Sequence, residues 1–206
     1  MEEVLEIYKR EYQEENPVLC LDESSKQQIQ EVIESLPIKP GIREKYDSEY
    51  ERNGTSNLFM IFEPLKGKRH VEVTEQRTKK EWADCIKMIV DQLYPHAKKI
   101  TIIMDNLNTH TPASLYGRFA PEEARRMIEK LDIQYTPKHG SWLNMAEIEF
   151  SALSRQCLNR RIGTREELIQ EIKAWEKERN EAEVRCHWQF RTEDARIKLK
   201  KLYPLI

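Results

Sequence analysis

The sequence contains no run of 18 apolar residues, so no segment qualifies as a membrane-spanning helix and no membrane partner is expected. Its start, Met1, Glu2, Glu3, lacks the basic, apolar, small-residue order of a secretory signal. The four cysteines (Cys20, Cys85, Cys157 and Cys186) are widely spaced and form no CxxC pair. That argues against a disulfide scaffold or a zinc knuckle and points to a reducing, cytoplasmic setting. There is no GxxxxGK to cradle a phosphate, no HExxH and no GxSxG, so a P-loop enzyme, a zincin and an α/β-hydrolase all lack their defining turn. No internal repeat or low-complexity tract is present.

A large excess of positive charge is also missing. The 206 residues hold 34 basic and 36 acidic side chains, a net charge of −2. Residues 1–35 alone carry −7 and the remainder +5. A sequence pI of 6.3 does not suit a stand-alone nucleic-acid binder. It leaves room for an enzyme that meets a phosphate backbone through local basic strips. Such strips are Lys66, Lys68 and Arg69; Lys79 and Lys80; and Arg155, Arg160, Arg161 and Arg165. With 39% hydrophobic and 34% charged residues, the chain can bury one core beneath a heavily solvated surface.

Residues 1–16 read as a short acidic helical lead-in. After Pro17 comes an apolar run, Val18 to Leu21, that stops at Asp22 and Glu23, as a buried strand would. Residues 24–36 suggest a helix with Ile29, Val32, Ile33 and Leu36 on one face, broken by Pro37 to Gly41. Residues 55–63 and 69–73 form a strand pair around the Pro64 to Gly67 turn. Thr78 and Glu81 make a capping box that opens a helix running to about Tyr94. Residues 98–104 are the strongest strand signal, and it too stops at an acid, Asp105. Pro121 opens a helix over 121–131, and Ile133 to Thr136 form a short strand. A helix then starts near Trp142 with Ala146, Phe150, Leu153 and Cys157 inward. A second capping box, Thr164 with Glu167, opens a long charged helix with Leu168, Ile172 and Trp175 inward. The basic C-terminal stretch Arg196 to Lys201 reads as a solvated helix.

Two buried strands that each end in aspartate bring Asp22 and Asp105 to one sheet edge if the strands are neighbours, and sites in open α/β sheets gather outside such C-terminal ends. A third carboxylate, Glu147 or Glu149, lies at the start of the helix after the last strand. Three carboxylates from separate segments make an oxygen-rich site for Mg²⁺ or Mn²⁺. Two such ions would activate water and stabilise the leaving oxygen of a phosphodiester. A single strand-end Asp is as readily a turn cap, so the weight rests on the combination.

The element order and these acids are similar to the RNase H-like fold, an α/β architecture with a mixed five-stranded sheet flanked by helices. Asp105-Asn106-Leu107-Asn108-Thr109-His110 resembles the second-aspartate motif of the mariner-type insertion-sequence transposases of the DDE superfamily. Tyr135 to Glu147, with its Leu143-Asn144 pair, resembles that family's final motif, and Cys20 to Glu23 its first. The resemblance implies a catalytic domain over 17–162, preceded by the 1–16 lead-in and followed by a helical extension over 163–206. It implies that Asp22, Asp105 and Glu147 are catalytic and hold two Mg²⁺ ions, for which Mn²⁺ substitutes. It implies the cleavage of transposon ends and the joining of the freed 3′-hydroxyl to target DNA, at a TA step and by a homodimer, in a nucleoid-associated setting. The N-terminal helix-turn-helix DNA-binding part of such enzymes is expected to be absent, since 21 residues precede Asp22.

Strand alternation turns Glu23 away from Asp22, toward a supporting pairing with a base. Glu149 sits about 200° around the helix from Glu147, so both cannot face one site. Asn106, His110 and Asn144 are read as supporting residues: His110 to orient Asp105 or touch phosphate, Asn144 to cap the helix of Glu147. Lys138, His139, Trp142, Arg155, Arg160 and Arg161 are the candidate DNA contacts. Two alternatives stand beside this reading: an RNase H-like nuclease without strand transfer, and an inactive DNA-binding remnant of a transposase.

Overall fold

The computed structural model describes residues 1–32, 41, 49–107, 110–138 and 140–203, with the side chain of Leu202 left aside. Five strands, β1 (Val18–Glu31), β2 (Tyr50–Glu63), β3 (Lys68–Thr74), β4 (Ile100–Met104) and β5 (Leu131–Tyr135), form one sheet in the order β3-β2-β1-β4-β5. β1 and β2 pair antiparallel, as do β2 and β3, while β1–β4 and β4–β5 are parallel. The sheet is therefore mixed.

Side chains alternate across it and divide the core in two. Cys20, Leu58, Met60, Phe62, Val71 and Ile103 face one side. There they pack on α1 (Glu2–Tyr8), α5 (Ala146–Gln156), α6 (Arg165–Glu181) and α7 (Thr192–Lys198). Leu19, Leu21, Phe59, Ile61, Ile102 and Met104 face the other. They pack on α2 (Lys79–Met88), which runs on as a π-turn to Leu93, on α3 (Pro112–Tyr116) and on α4 (Pro121–Lys130). Each fully buried large aliphatic or aromatic side chain contributes about 1.5–3 kcal/mol, so both layers are held firmly to the sheet.

The start signals behave as their chemistry dictates. Thr78 and Glu81 close a full capping box on α2, and Pro121 occupies the first turn of α4, where a missing N–H costs nothing. At α6 half the expected box forms. The Thr164 hydroxyl accepts the Glu167 amide at 3.1 Å, but the Glu167 carboxylate accepts from Gly163 N instead.

Three expectations are corrected. The lead-in helix ends at Tyr8, not at residue 16. The helix expected near Trp142 begins at Ala146, after a 3₁₀ turn over Ser141–Leu143. The helix expected over 24–36 is instead strand as far as Glu31, paired residue by residue with β2 and slipped once between Gln27 and Ile29. Its polar side chains are satisfied across the ribbon: Gln28 Nε2 donates to Ser56 Oγ at 2.7 Å and Ser25 Oγ to Asn57 Oδ1 at 2.7 Å. Ile29 N donates to Ile162 O at 2.9 Å, tying the ribbon to the loop after α5. Residues 33–36 of the expected helix lie outside the described residues.

Candidate active site

Register brings the two aspartates together. On the parallel β1–β4 pair, Cys20 lies beside Ile103. Two residues further along each strand, Asp22 and Asp105 therefore occupy matching positions, and alternation turns both toward the face that carries α5. Asn144 anchors α5 to that edge. Its buried amide donates to Leu21 O at 2.8 Å, and its Oδ1 accepts the amide of Ala146, the first residue of α5, at 3.2 Å. Tyr8 Oη adds a 2.7 Å bond to Leu143 O. Glu147 stands exposed in the first turn of α5, next to this anchor.

The Asp22 carboxyl is pushed up to about 6. Burial is the largest cause. A 2.8 Å bond from Glu23 N opposes it, and the fields of Asp105, Glu147 and Glu23 add to it. Those fields place the three acids in one electrostatic neighbourhood. Among the described residues they are not drawn into a ready coordination group. Like-charged carboxylates repel, so side chains without a cation between them are expected to stand apart. The donor set is all oxygen and all anionic, which suits Mg²⁺ or Mn²⁺ and no softer ion. On that chemistry the residues fit a divalent cation.

Glu23 takes the face opposite Asp22, where it is buried against His110. The imidazole meets two carboxylates: Nδ1 bonds Asp105 Oδ1 at 2.8 Å, and Nε2 lies 2.8 Å from Glu23 Oε2 in an ion pair. Burial works against its charge, but the bonds to Asp105 and Glu23 outweigh it and hold the pKa at about 9. The ring stacks on Trp82, centroids 5.7 Å apart and planes 19° apart. Asn106 is exposed at the strand end.

Glu149 has a different occupation. It is buried, with Oε1 accepting from Arg179 Nη2 at 2.9 Å and Oε2 lying 3.1 Å from Arg69 Nε. Arg69, read from the sequence as part of a surface strip, is 1% exposed and also donates to Val184 O at 2.5 Å. This network was not found from the sequence. The usable signal was alternation, which puts Arg69 on the inward face with Val71.

Of the candidate DNA contacts, Lys138 is exposed and His139 lies outside the described residues. Trp142 is partly covered, stacked on Trp188 at 6.2 Å and edge-on to Phe190 at 5.5 Å. Arg155 is exposed near the C-terminal end of α5, about 12 Å along the helix from Glu147. Arg160 pairs with Glu171 at 2.5 Å, and Arg161 donates to Glu49 O at 3.2 Å and lies over the Tyr50 ring. Arg165 bonds Ser56 Oγ at 3.0 Å and pairs with Glu75. These arginines hold the β1–β2 ribbon and the α5–α6 junction, so the structure does not gather them at the acids. A cleft of about 930 Å³ lies on this far side, between α5 and α6, lined among others by Arg155, Arg160, Trp175 and Arg179.

A mixed sheet in this order, with helices on both faces and aspartates just past the last residue pair of its parallel β1–β4 ladder, is an RNase H-like fold. The chain belongs to the DDE superfamily endonucleases, whose family model matches residues 17–169. Among solved structures it is similar to the Mos1 mariner paired end complex with Mn, at 14% identity and a TM-score of 0.59 over 89% of this chain and 55% of that one. It is also similar to the Mos1 transposase paired-end complex with left transposon end, at 12% identity and 0.59, over 89% and 56%. The Mos1 strand transfer complex matches at 13% and 0.58, over 89% and 58%. The chain thus spans little more than half the length of these chains. No curated protein sequence gives a significant match.

Proposed function

We propose that this chain is the catalytic domain of a DNA transposase, which cuts transposon-end phosphodiesters and joins the freed 3′-hydroxyl to target DNA. The observation that carries this reading is the β1–β4 register, which sets Asp22 and Asp105 at matching positions past Cys20 and Ile103, on the face that carries α5 and Glu147, in a chain whose family model matches residues 17–169. Acids so placed suit a cation-dependent phosphoryl-transfer site, and the raised Asp22 carboxyl agrees with it. Asp22, Asp105 and Glu147 would hold two Mg²⁺ ions, with Mn²⁺ as a substitute. When bound, the metal supplies activation of the attacking oxygen and charge stabilisation of the leaving one.

The chain's own residues do the rest. Asn144 keeps α5, and with it Glu147, against the end of β1. The His110 bond keeps one Asp105 oxygen turned away from solvent. Cleavage and joining are both in-line displacements at phosphorus, so one set of carboxylates serves both, and no protein nucleophile is needed.

Transposon-end and target DNA are the substrates of this reading, and the likeness to the Mos1 paired-end complex with left transposon end and to the Mos1 strand transfer complex supports it. A homodimer, a separate helix-turn-helix part that grips the ends, insertion at TA and nucleoid association belong to the same proposal. The test is a strand-transfer assay with pre-cut ends and Mn²⁺. Joined product from the wild-type chain, with none from Asp105→Asn, is the expected result. Hydrolysis without joining would favour a plain nuclease, and no cleavage with or without a supplied DNA-binding part would favour the inactive remnant.

A further inference from the structure

This inference rests on Asp22, Asp105 and Glu147 being the metal-holding acids. We infer that His110 is a positioning residue: together with Glu23 it forms a side-chain clamp that sets the spacing of Asp22 and Asp105 beyond the point where the strand ladder stops.

The need for such a clamp follows from the register. The last residue pair between β1 and β4 is Cys20 with Ile103. Asp22 and Asp105 lie past it, so no ladder hydrogen bond fixes their separation. Their mutual repulsion, strongest before a cation arrives, drives them apart. A closed chain of contacts resists this. Asp22 Oδ1 accepts from Glu23 N at 2.8 Å. The Glu23 side chain leaves the opposite face and meets His110 Nε2 at 2.8 Å. His110 Nδ1 returns to Asp105 Oδ1 at 2.8 Å. The imidazole thus spans two neighbouring strands by holding one carboxylate from each.

The imidazole is itself held. Its ring lies on Trp82, Tyr135 Oη donates to His110 O at 2.7 Å, and His110 N donates to Leu107 O at 3.0 Å. α2 therefore holds the ring, while β5 and the loop after β4 hold the backbone that carries it. With Oδ1 of Asp105 committed to His110, Oδ2 has no bond to any of the described residues and is the oxygen the clamp would present to a cation. The carboxylate–imidazole pairing is the arrangement by which outer residues orient a ligand oxygen, and losing such a partner typically weakens metal affinity about 10–100-fold.

The test measures Mn²⁺ binding to the whole chain, by calorimetry or by the electron paramagnetic resonance signal of the free ion, alongside far-UV circular dichroism and a denaturant midpoint. His110→Ala should raise the Mn²⁺ dissociation constant at least about 10-fold. His110→Asn, which keeps an N–H near the Nδ1 position, should recover part of the loss. Glu23→Ala should weaken binding in the wild-type background and change nothing further in His110→Ala, because it acts through the ring. If His110→Ala does not fold, His110→Asn and Glu23→Gln carry the same comparison. An unchanged dissociation constant in a folded His110→Ala chain would overturn the clamp, as would a fully additive Glu23→Ala effect. Should Asp22→Asn and Asp105→Asn themselves leave Mn²⁺ binding unaltered, the metal reading fails instead, and the two failures are distinguishable.

Discussion

Two regions among the described residues, each enclosing several charged side chains, handle charge in opposite ways. Between β3, α5 and α6, Glu149 lies between Arg69 and Arg179 at 3.1 and 2.9 Å, and Glu176 accepts from Val71 N at 3.0 Å while meeting His70 at 3.2 Å. Negative charge there is answered by positive charge from this same chain. Past the β1–β4 pairing, Asp22, Glu23, Asp105 and Glu147 lie in one another's fields, and among the described residues His110 is the cation paired there, with Glu23 and Asp105. The first region is complete as it folds. The second, among the described residues, holds more acids than paired cations, which suits an added cation. Two acids of one helix, Glu147 and Glu149, fall on opposite sides of this division.

The sharpest way to break the comparison is to neutralise one acid in each region. Asp105→Asn should reduce Mn²⁺-dependent DNA cleavage below detection while the chain keeps a wild-type far-UV circular dichroism spectrum and a cooperative unfolding transition. Glu149→Ala should do the reverse to the fold. It leaves Arg69 buried without its carboxylate, a loss of about 3–5 kcal/mol, read as a lowered urea midpoint. Replacing the pair together, Arg69→Met with Glu149→Leu, should restore most of that loss. A midpoint for Glu149→Ala equal to wild type would show that the paired region is not what holds α5 and α6 to the sheet.

These two regions were not equally legible in the sequence. The two aspartates were readable because Val18 to Leu21 and Ile100 to Met104 are short apolar runs followed by acids, although β1 runs on to Glu31 instead of stopping at Asp22, and because alternation alone turns Glu23 away from Asp22. The Cys20–Ile103 register that sets the aspartates side by side is a long-range pairing, and no local pattern encodes it. The continuation of β1 from Ser24 to Glu31 was misread as helix. Its residues are polar and become strand through pairing with β2, while the spacing of Ile29, Val32, Ile33 and Leu36 matches a helical face. Arg69 was misplaced for a similar reason. Its charge argues for the surface, and the carboxylate that allows its burial lies 80 residues away in the sequence.

A smaller effect sharpens the comparison without any DNA. Mn²⁺ should stabilise the wild-type chain, by about 2.7 kcal/mol at a free concentration 100 times the dissociation constant. Asp22→Asn should abolish most of that gain, and Arg69→Met with Glu149→Leu should leave it intact. A thermal shift series with Mn²⁺ and a chelator checks both. Equal stabilisation of Asp22→Asn and wild type would mean that the ion binds elsewhere.

The smallest expected effect is the pH dependence of the metal-free chain, and it separates the regions by window. Asp22 titrates at about 6 when folded and near 3.9 when unfolded, so between those values the folded state holds more protons. The Asp22 contribution to stability must therefore fall as pH rises from about 4 to 6, and Asp22→Asn should remove that fall, by about 1 kcal/mol once solvent screening at this partly buried site is counted. His110 and His70 are both held at about 9, above an ordinary histidine near 6.5. Their contribution is full below about 6.5 and is lost as pH rises toward 9. They share a window but not a region, so His110→Asn and His70→Asn divide the loss between the acid edge and the β3–α6 contact. Urea midpoints measured in chelator from pH 4 to 9 supply the test. An Asp22→Asn profile parallel to wild type through the lower window would mean that the Asp22 carboxyl does not carry the fall, and the contrast between the two regions would be lost.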